Sequence, residues 1–282
     1  MALWQEGEIE VNGLRLHYTR TGGDRPPLVL AHGFSDDGLC WTPVAEALAP
    51  QYDVVMVDAR CHGRSDAPEE GFGALDQAND LAGVIAALAL DQPIILGHSM
   101  GAITTLALAG TYPDVPRAIL VEDPPAWWMP NATPMTADGQ WQVRMREWIT
   151  GLQQKTREEL IAGQRAATPG WSEAELGPWA DAKLRLSLNV LNRNVAATID
   201  WPAMVRRIMC PALLITGDPA RGAIVNPQSA AELRVLVPQL RIAHVPEAGH
   251  SIRRDQFARY MDLVRDFLVR WQEQRTFAAR AR

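Results

Sequence analysis

Short apolar runs bounded by turn residues alternate with longer stretches of helical period along most of this chain, and that alternation leaves few architectures open. Residues 28–31, 54–57, 94–96, 118–121, 212–215 and 240–245 read as strands, and the first four are apolar enough to be buried on both faces. Residues 7–19 alternate around Asn12-Gly13 as a β-hairpin does. Helical patterns near 43–50, 76–90, 100–111, 228–236 and 252–274 supply the crossovers. The pattern predicts an α/β protein with one mostly parallel, eight-stranded sheet flanked by helices.

The alternation breaks between Pro124 and Asp200, where no buried strand is evident. This stretch and its end hold seven of the ten tryptophans: Trp127, Trp128, Trp141, Trp148, Trp171, Trp179 and Trp201. A chain of 282 residues accommodates one large domain with an insertion better than two full domains. Residues 1–124 and 201–282 are therefore expected to form the core and 125–200 a helical lid inserted after the sixth strand. A lid over the carboxyl ends of the strands would make an apolar, aromatic pocket, for which Trp127, Trp128 and Trp179 are the candidate wall residues. The competing role for any one of these indoles is to glue the lid helices to each other and to the core. The tail beyond Gln272 is expected to fray.

Gly97-His98-Ser99-Met100-Gly101 is a G-x-S-x-G sequence between a buried strand and a helix of small residues. Such a turn strains the backbone at the serine and needs glycine on both flanks. It also sets the hydroxyl at a helix N-terminus, where free amides favour developing negative charge. Ser99 is thus the candidate nucleophile. The backbone amides of Met100 and Phe34, the latter in His32-Gly33-Phe34 after the first buried strand, are the candidate oxyanion donors. His250, in Glu247-Ala248-Gly249-His250 between the last strand and the last helix, is the candidate base, since its loop faces the same edge as Ser99. His17, His32, His62, His98 and His244 are read as structural.

The order His32-Gly33, Asp58-Ala59-Arg60-Cys61-His62-Gly63-Arg64-Ser65-Asp66, Gly97-His98-Ser99-Met100-Gly101 and Gly249-His250 resembles the α/β-hydrolase superfamily over about residues 7–270. Cys61 departs from it, standing where the family usually has glycine. A serine at the elbow separates the chain from the aspartate-nucleophile dehalogenases and epoxide hydrolases of the same fold. The resemblance implies a third group, an acid that orients the histidine, and leaves its position open. In most of the family it follows the seventh strand, which points to Asp218, although Asp218 falls four residues ahead of the usual register. In a subset that includes some lactone hydrolases it ends the sixth strand, where Asp123 stands 24 residues after Ser99. The reading favours Asp123 over Asp218, with Glu122 behind both. Asp36, Asp37, Asp58 and Asp66 are read as structural, and Asn189, Asn192 and Asn194 as solvent-facing or as polar contacts to substrate.

Together these features point to hydrolysis of a carboxylic ester or lactone with an apolar portion, through an acyl-enzyme, with no metal or organic cofactor. Amide or carbon–carbon bond hydrolysis, and a ligand-binding sensor on a hydrolase scaffold, are the alternatives. With 33 acidic and 27 basic residues, the chain carries a net charge of −6 and shows no basic footprint for nucleic acid or an anionic membrane. A small molecule is the expected partner, and oligomeric state is not legible. Cys40, Cys61 and Cys210 lack metal or disulfide spacing, the N-terminus lacks a basic flank and apolar run, and a cytoplasmic location is the default expectation.

Overall fold

Strand faces in this chain are set by period-two alternation, which sorts the apolar side chains of the central strands onto two opposite layers. The computed structural model describes residues 4–130, 132, 140–192 and 199–280, with side chains as far as Arg270. Its strands are β1 (Gln5–Val11), β2 (Leu14–Arg20), β3 (Pro27–Ala31), β4 (Asp53–Val57), β5 (Ile94–His98), β6 (Ala118–Glu122), β7 (Ala212–Thr216) and β8 (Leu240–His244). They form one eight-stranded sheet in the order β1-β2-β4-β3-β5-β6-β7-β8. Only the pairings of β2, with β1 and with β4, are antiparallel. Asn12 and Gly13, at φ 52° and 74°, close the β1–β2 hairpin in the left-handed geometry its two-residue turn requires.

Helices cover both faces. On one, Val29, Val55, Ile95, Ile119 and Leu214 pack against α2 (Ala74–Ala87), α3 (Met100–Thr111) and, further along the chain, the helix Pro227–Leu236. On the other, Leu28, Leu30, Val54, Met56, Leu96 and Leu120 pack against α1 (Thr42–Leu48) and the C-terminal helix Phe257–Arg280. Val29 and Leu30, adjacent in sequence, belong to opposite layers, and both are fully buried. Burial on this scale, at roughly 25 cal/mol per Å² of apolar surface, is what holds the layers together.

The stretch after β6 contains α4 (Gln140–Gln153), α5 (Arg157–Ala167) and α6 (Glu173–Arg185), and no strand among its described residues. Thr156 and Glu159 form a capping box at the start of α5, and Ser172 caps α6. A 3-10 turn after α6, Leu188–Leu191, ties this stretch to the loop following β4: Asn189 and Asn192 donate to the carbonyls of Ala67 and Glu69. Asn194 lies outside the described residues, and the tail beyond Gln272, expected to fray, continues as helix to Arg280. α7 (Trp201–Val205) returns the chain to β7, and α8 (Pro227–Leu236) leads to β8.

Two expectations are corrected. Trp128 is not free to wall a pocket: it is 1% exposed, sits in the core layer and donates its indole N–H to the Ser229 carbonyl at 2.8 Å. The C-terminal helix is not continuous from 252. A short turn of helix, α9 (Ile252–Asp255), ends where Gln256 leaves the helical region at φ −139°, ψ 56°, and α10 (Phe257–Arg280) follows. The break has a cause: the Asp255 carboxylate is tied back to the Gly249 amide and the Trp171 indole.

Candidate active site

The turn between β5 and α3 shows why the motif needs its glycines. A Cβ on Gly97 would lie 2.3 Å from the Gly101 carbonyl oxygen, and one on Gly101 would lie 2.1 Å from the Ala31 carbonyl oxygen. Between them Ser99 is held at φ 50°, ψ −111°, a backbone conformation that side-chain-bearing residues rarely adopt. The distortion sets its hydroxyl on the elbow at the N-terminus of α3, with the residue 8% exposed.

His250 reaches this hydroxyl from a loop 151 residues away, its Nε2 standing 3.0 Å from Ser99 Oγ. Its Nδ1 lies 2.7 Å from Asp123 Oδ2. The pattern fixes the tautomer: Nδ1–H donates to the carboxylate, leaving Nε2 free to accept the serine proton. Asp123 is fully buried and held at φ 44° immediately after β6. The amides of Ile224 and Val225 donate to its two oxygens at 2.8 and 2.9 Å. Both oxygens of this buried carboxylate are thus hydrogen-bonded, by His250 and by two backbone amides.

Asp218 does not join this group. Its carboxylate accepts from the Glu247 amide and pairs with His244, holding the loop after β7. The residues after it, a short turn Pro219–Arg221 and Gly222 at φ 96°, carry the chain round so that the next amides meet Asp123. Glu122 faces the other side of the sheet, where it accepts from the Arg253 backbone and guanidinium. Burial raises its carboxyl against the lowering pull of Arg253.

The loop after β3 lies against Ser99: a Cβ on Gly33 would come within 3.4 Å of Ser99 Cβ and 2.6 Å of His98 Nδ1. Met100 opens α3, so its amide has no carbonyl partner within the helix. Phe34 and Met100 also belong to an apolar cluster with Trp141 and Met145 of α4 and with Leu186, Leu188, Val190 and Leu191. Met100, which follows Ser99 in the chain, belongs to this cluster. Trp127 instead packs on Trp201, with ring centroids 5.4 Å apart, and Trp179 lies under the Lys183 ammonium at 5.1 Å. A separate cavity of about 30 Å³ lies behind Met100 and Gly101, among His32, Arg60, Gln77, Asp80 and Thr104. It has the size of a water site, not of a substrate pocket.

Three buried imidazoles brace the site. His98 Nε2 donates to the His250 carbonyl at 3.0 Å, and burial, Arg253 and His250 hold it well below the usual histidine range. His32 accepts from the Ala59 amide, and burial lowers it. His62 accepts from the Ser35 amide and is pushed down to about 3 by burial and by His32. Cys61, in the family's glycine position, adopts φ 66° and is buried. Burial pushes its thiol up to about 11, which disfavours the thiolate. Among the described residues no group of three His, Cys, Asp or Glu side chains could hold a metal, and no helix is long and apolar enough to cross a membrane.

This strand order, with a sharp serine-bearing turn after the fifth strand, is the arrangement of the α/β hydrolases. The chain belongs to that family: residues 28–263 match the alpha/beta hydrolase family. It is 30% identical to an N-formylmaleamate deformylase of Pseudomonas putida over 267 residues, covering 93% of this chain and 96% of the relative. It is 28% identical to a 2-(acetamidomethylene)succinate hydrolase of Mesorhizobium japonicum, covering 86% and 88%. A solved N-formylmaleamic acid deformylase from Pseudomonas putida S16 superposes with a TM-score of 0.77 at 26% identity, covering 92% of this chain and all of that one.

Lys183 and Trp141 were not singled out by the sequence as site residues. A single lysine in a helix reads as solvent-facing, and nothing in its neighbours marks it as buried. Trp141 was visible only as one of several lid indoles.

Proposed function

We propose that the protein is a serine hydrolase that cleaves a carboxylic acyl bond through an acyl-enzyme on Ser99, with an ester or lactone as the leading substrate class. The observation that carries this reading is the continuous relay from Ser99 Oγ to His250 at 3.0 Å and from His250 to buried Asp123 at 2.7 Å. In this mechanism His250 takes the serine proton as the hydroxyl attacks the carbonyl carbon. The Phe34 and Met100 amides receive the oxyanion, and the imidazolium, stabilised by Asp123, protonates the leaving group. His250 then removes a proton from water for deacylation. The insertion at residues 125–200 serves as a lid, and its α4 side, with Trp141 and Met145, shapes the apolar part of the pocket.

Amide hydrolysis is the second reading, favoured by one observation: two relatives are an N-formylmaleamate deformylase and a 2-(acetamidomethylene)succinate hydrolase. The test is a panel of p-nitrophenyl esters, lactones and N-acyl amides compared by kcat/KM. The ester reading predicts that esters or lactones exceed amides of the same acyl group. A panel led by N-acyl amides would transfer the assignment to the second reading. Loss of every activity in Ser99→Ala is common to both, and an activity surviving that change would refute both.

A further inference from the structure

Oxyanion donors are effective only when their direction is fixed before the reaction. The Phe34 amide is one half of a trans peptide whose other half is the Gly33 carbonyl. That carbonyl accepts from His32 Nδ1 at 2.8 Å and from the Asp36 amide at 3.1 Å, which sets the direction of the N–H on the opposite side. The next residue, Ser35, stands at φ 65°. Its amide donates to His62, and its carbonyl accepts from Lys183 Nζ at 2.8 Å. The same ammonium lies 2.9 Å from Asp36 Oδ1.

Lys183 comes from α6, in the stretch inserted after β6, and is only 3% exposed. It belongs to a buried charge cluster in which Asp36 also meets Arg253 and Arg254, Arg253 meets Glu122, and Arg254 meets Glu175 of α6. Burial pushes the Asp36 carboxyl up, but Arg254, Lys183 and Arg253 outweigh it and hold it well below the ordinary carboxylate range. Three cations face three carboxylates. Buried ion pairs add little net stability over apolar packing, and in some proteins they fix one registry. A helix docked mainly to be stable would use leucines; this one brings a lysine to the carbonyl beside an oxyanion donor.

We propose that Lys183 is a positioning residue for acyl transfer at Ser99, making the aim of the Phe34 amide depend on α6 being seated through the Ser35 carbonyl and Asp36. The inference rests on the serine-hydrolase reading above. Its test compares wild type, Lys183→Met and the double variant Lys183→Met/Asp36→Asn on an activated p-nitrophenyl ester. Thermal stability and affinity for a trifluoromethyl ketone, which forms the oxyanion adduct, are measured alongside. The double variant removes one charge of each sign and leaves Arg253 with Glu122 and Arg254 with Glu175. It is therefore expected to recover part of the melting temperature that Lys183→Met loses.

The expected result is that kcat falls roughly 10- to 100-fold in both variants, less than for outright loss of an oxyanion donor. KM stays within about threefold, and ketone affinity drops in step with kcat/KM. Recovery of kcat together with melting temperature in the double variant would overturn the proposal, because charge balance alone would then explain the lysine. An unchanged kcat in Lys183→Met would also overturn it. Failure of the underlying reading looks different: wild type would show no Ser99-dependent turnover and no phosphonylation of Ser99 by a fluorophosphonate, and the proposal would fall with it.

Discussion

Replacing Asp123 by asparagine isolates the acid from every other part of the site. The substitution is nearly isosteric at a fully buried position, so the shape of the pocket is kept. Its chemistry is not. Asp123 accepts from three donors, His250 Nδ1 and the amides of Ile224 and Val225, and all three approach oxygens. An amide has one oxygen for them. If its NH2 group faces Val225, a buried N–H loses its partner, at a cost of about 1–3 kcal/mol in stability. If the NH2 faces His250 and Ile224, the imidazole must accept at Nδ1, carry its proton on Nε2 and point that proton at Ser99. Either way the imidazolium formed during attack loses its counter-charge. A wrong-tautomer histidine in a serine triad lowers kcat by about 10⁴-fold, or about 5.5 kcal/mol of barrier. Asp123→Asn is therefore predicted to lower kcat by roughly 10³- to 10⁴-fold with little change in KM. Asp218→Asn disturbs only the contacts to Glu247 and His244 and is predicted to cost less than about tenfold. Steady-state kinetics of both variants on one activated ester make the comparison, and the reverse ranking would falsify the assignment of the acid to Asp123.

Three other outcomes follow from the same geometry. Gly101→Ala puts a methyl 2.1 Å from a backbone oxygen of β3, which no rotamer change relieves, so a loss of more than about 3 kcal/mol is expected in urea melts; a near-wild-type melt would show that the elbow tolerates a side chain. Trp128→Phe strips the Ser229 carbonyl of its buried donor and is expected to cost about 1–3 kcal/mol with kcat/KM within twofold, whereas a large rise in KM would return Trp128 to the pocket wall. His32, His62 and His98 all have folded pKa values below the ordinary 6.5, so each takes up its proton only on unfolding. Stability is then fully present above about pH 6.5 and falls as pH drops below it, by up to about 1.4 kcal/mol per pH unit for each imidazole; urea midpoints that stay flat from pH 7 to 5 would contradict this.

The sheet was legible because its strands are buried on both faces, which leaves apolar runs that a few turn residues delimit. The elbow was legible for a related reason: Gly97 and Gly101 are required by backbone contacts that any protein with this turn must make. Asp123 could be favoured from its place at the end of β6, but its competition with Asp218 turned on the path of residues 219–225, which no local pattern encodes. The break before α10 was missed because it depends on Asp255 reaching back to Gly249 and across to Trp171. Trp128 was misassigned because sequence proximity to an insertion says nothing about which way an indole faces. Lys183 was the least legible: its burial depends on Asp36, 147 residues away, and on arginines brought in by α9.

The central claim is that Ser99 is a nucleophile activated by His250 and Asp123, and intact-protein mass spectrometry during turnover of a p-nitrophenyl ester tests it most directly. The account predicts a transient acyl adduct on Ser99 in wild type, accompanying many turnovers per molecule. Ser99→Ala should show neither adduct nor turnover, and His250→Ala should lose turnover. Turnover without an adduct that survives in Ser99→Ala would contradict the account, as would stoichiometric binding of the ester without release of product.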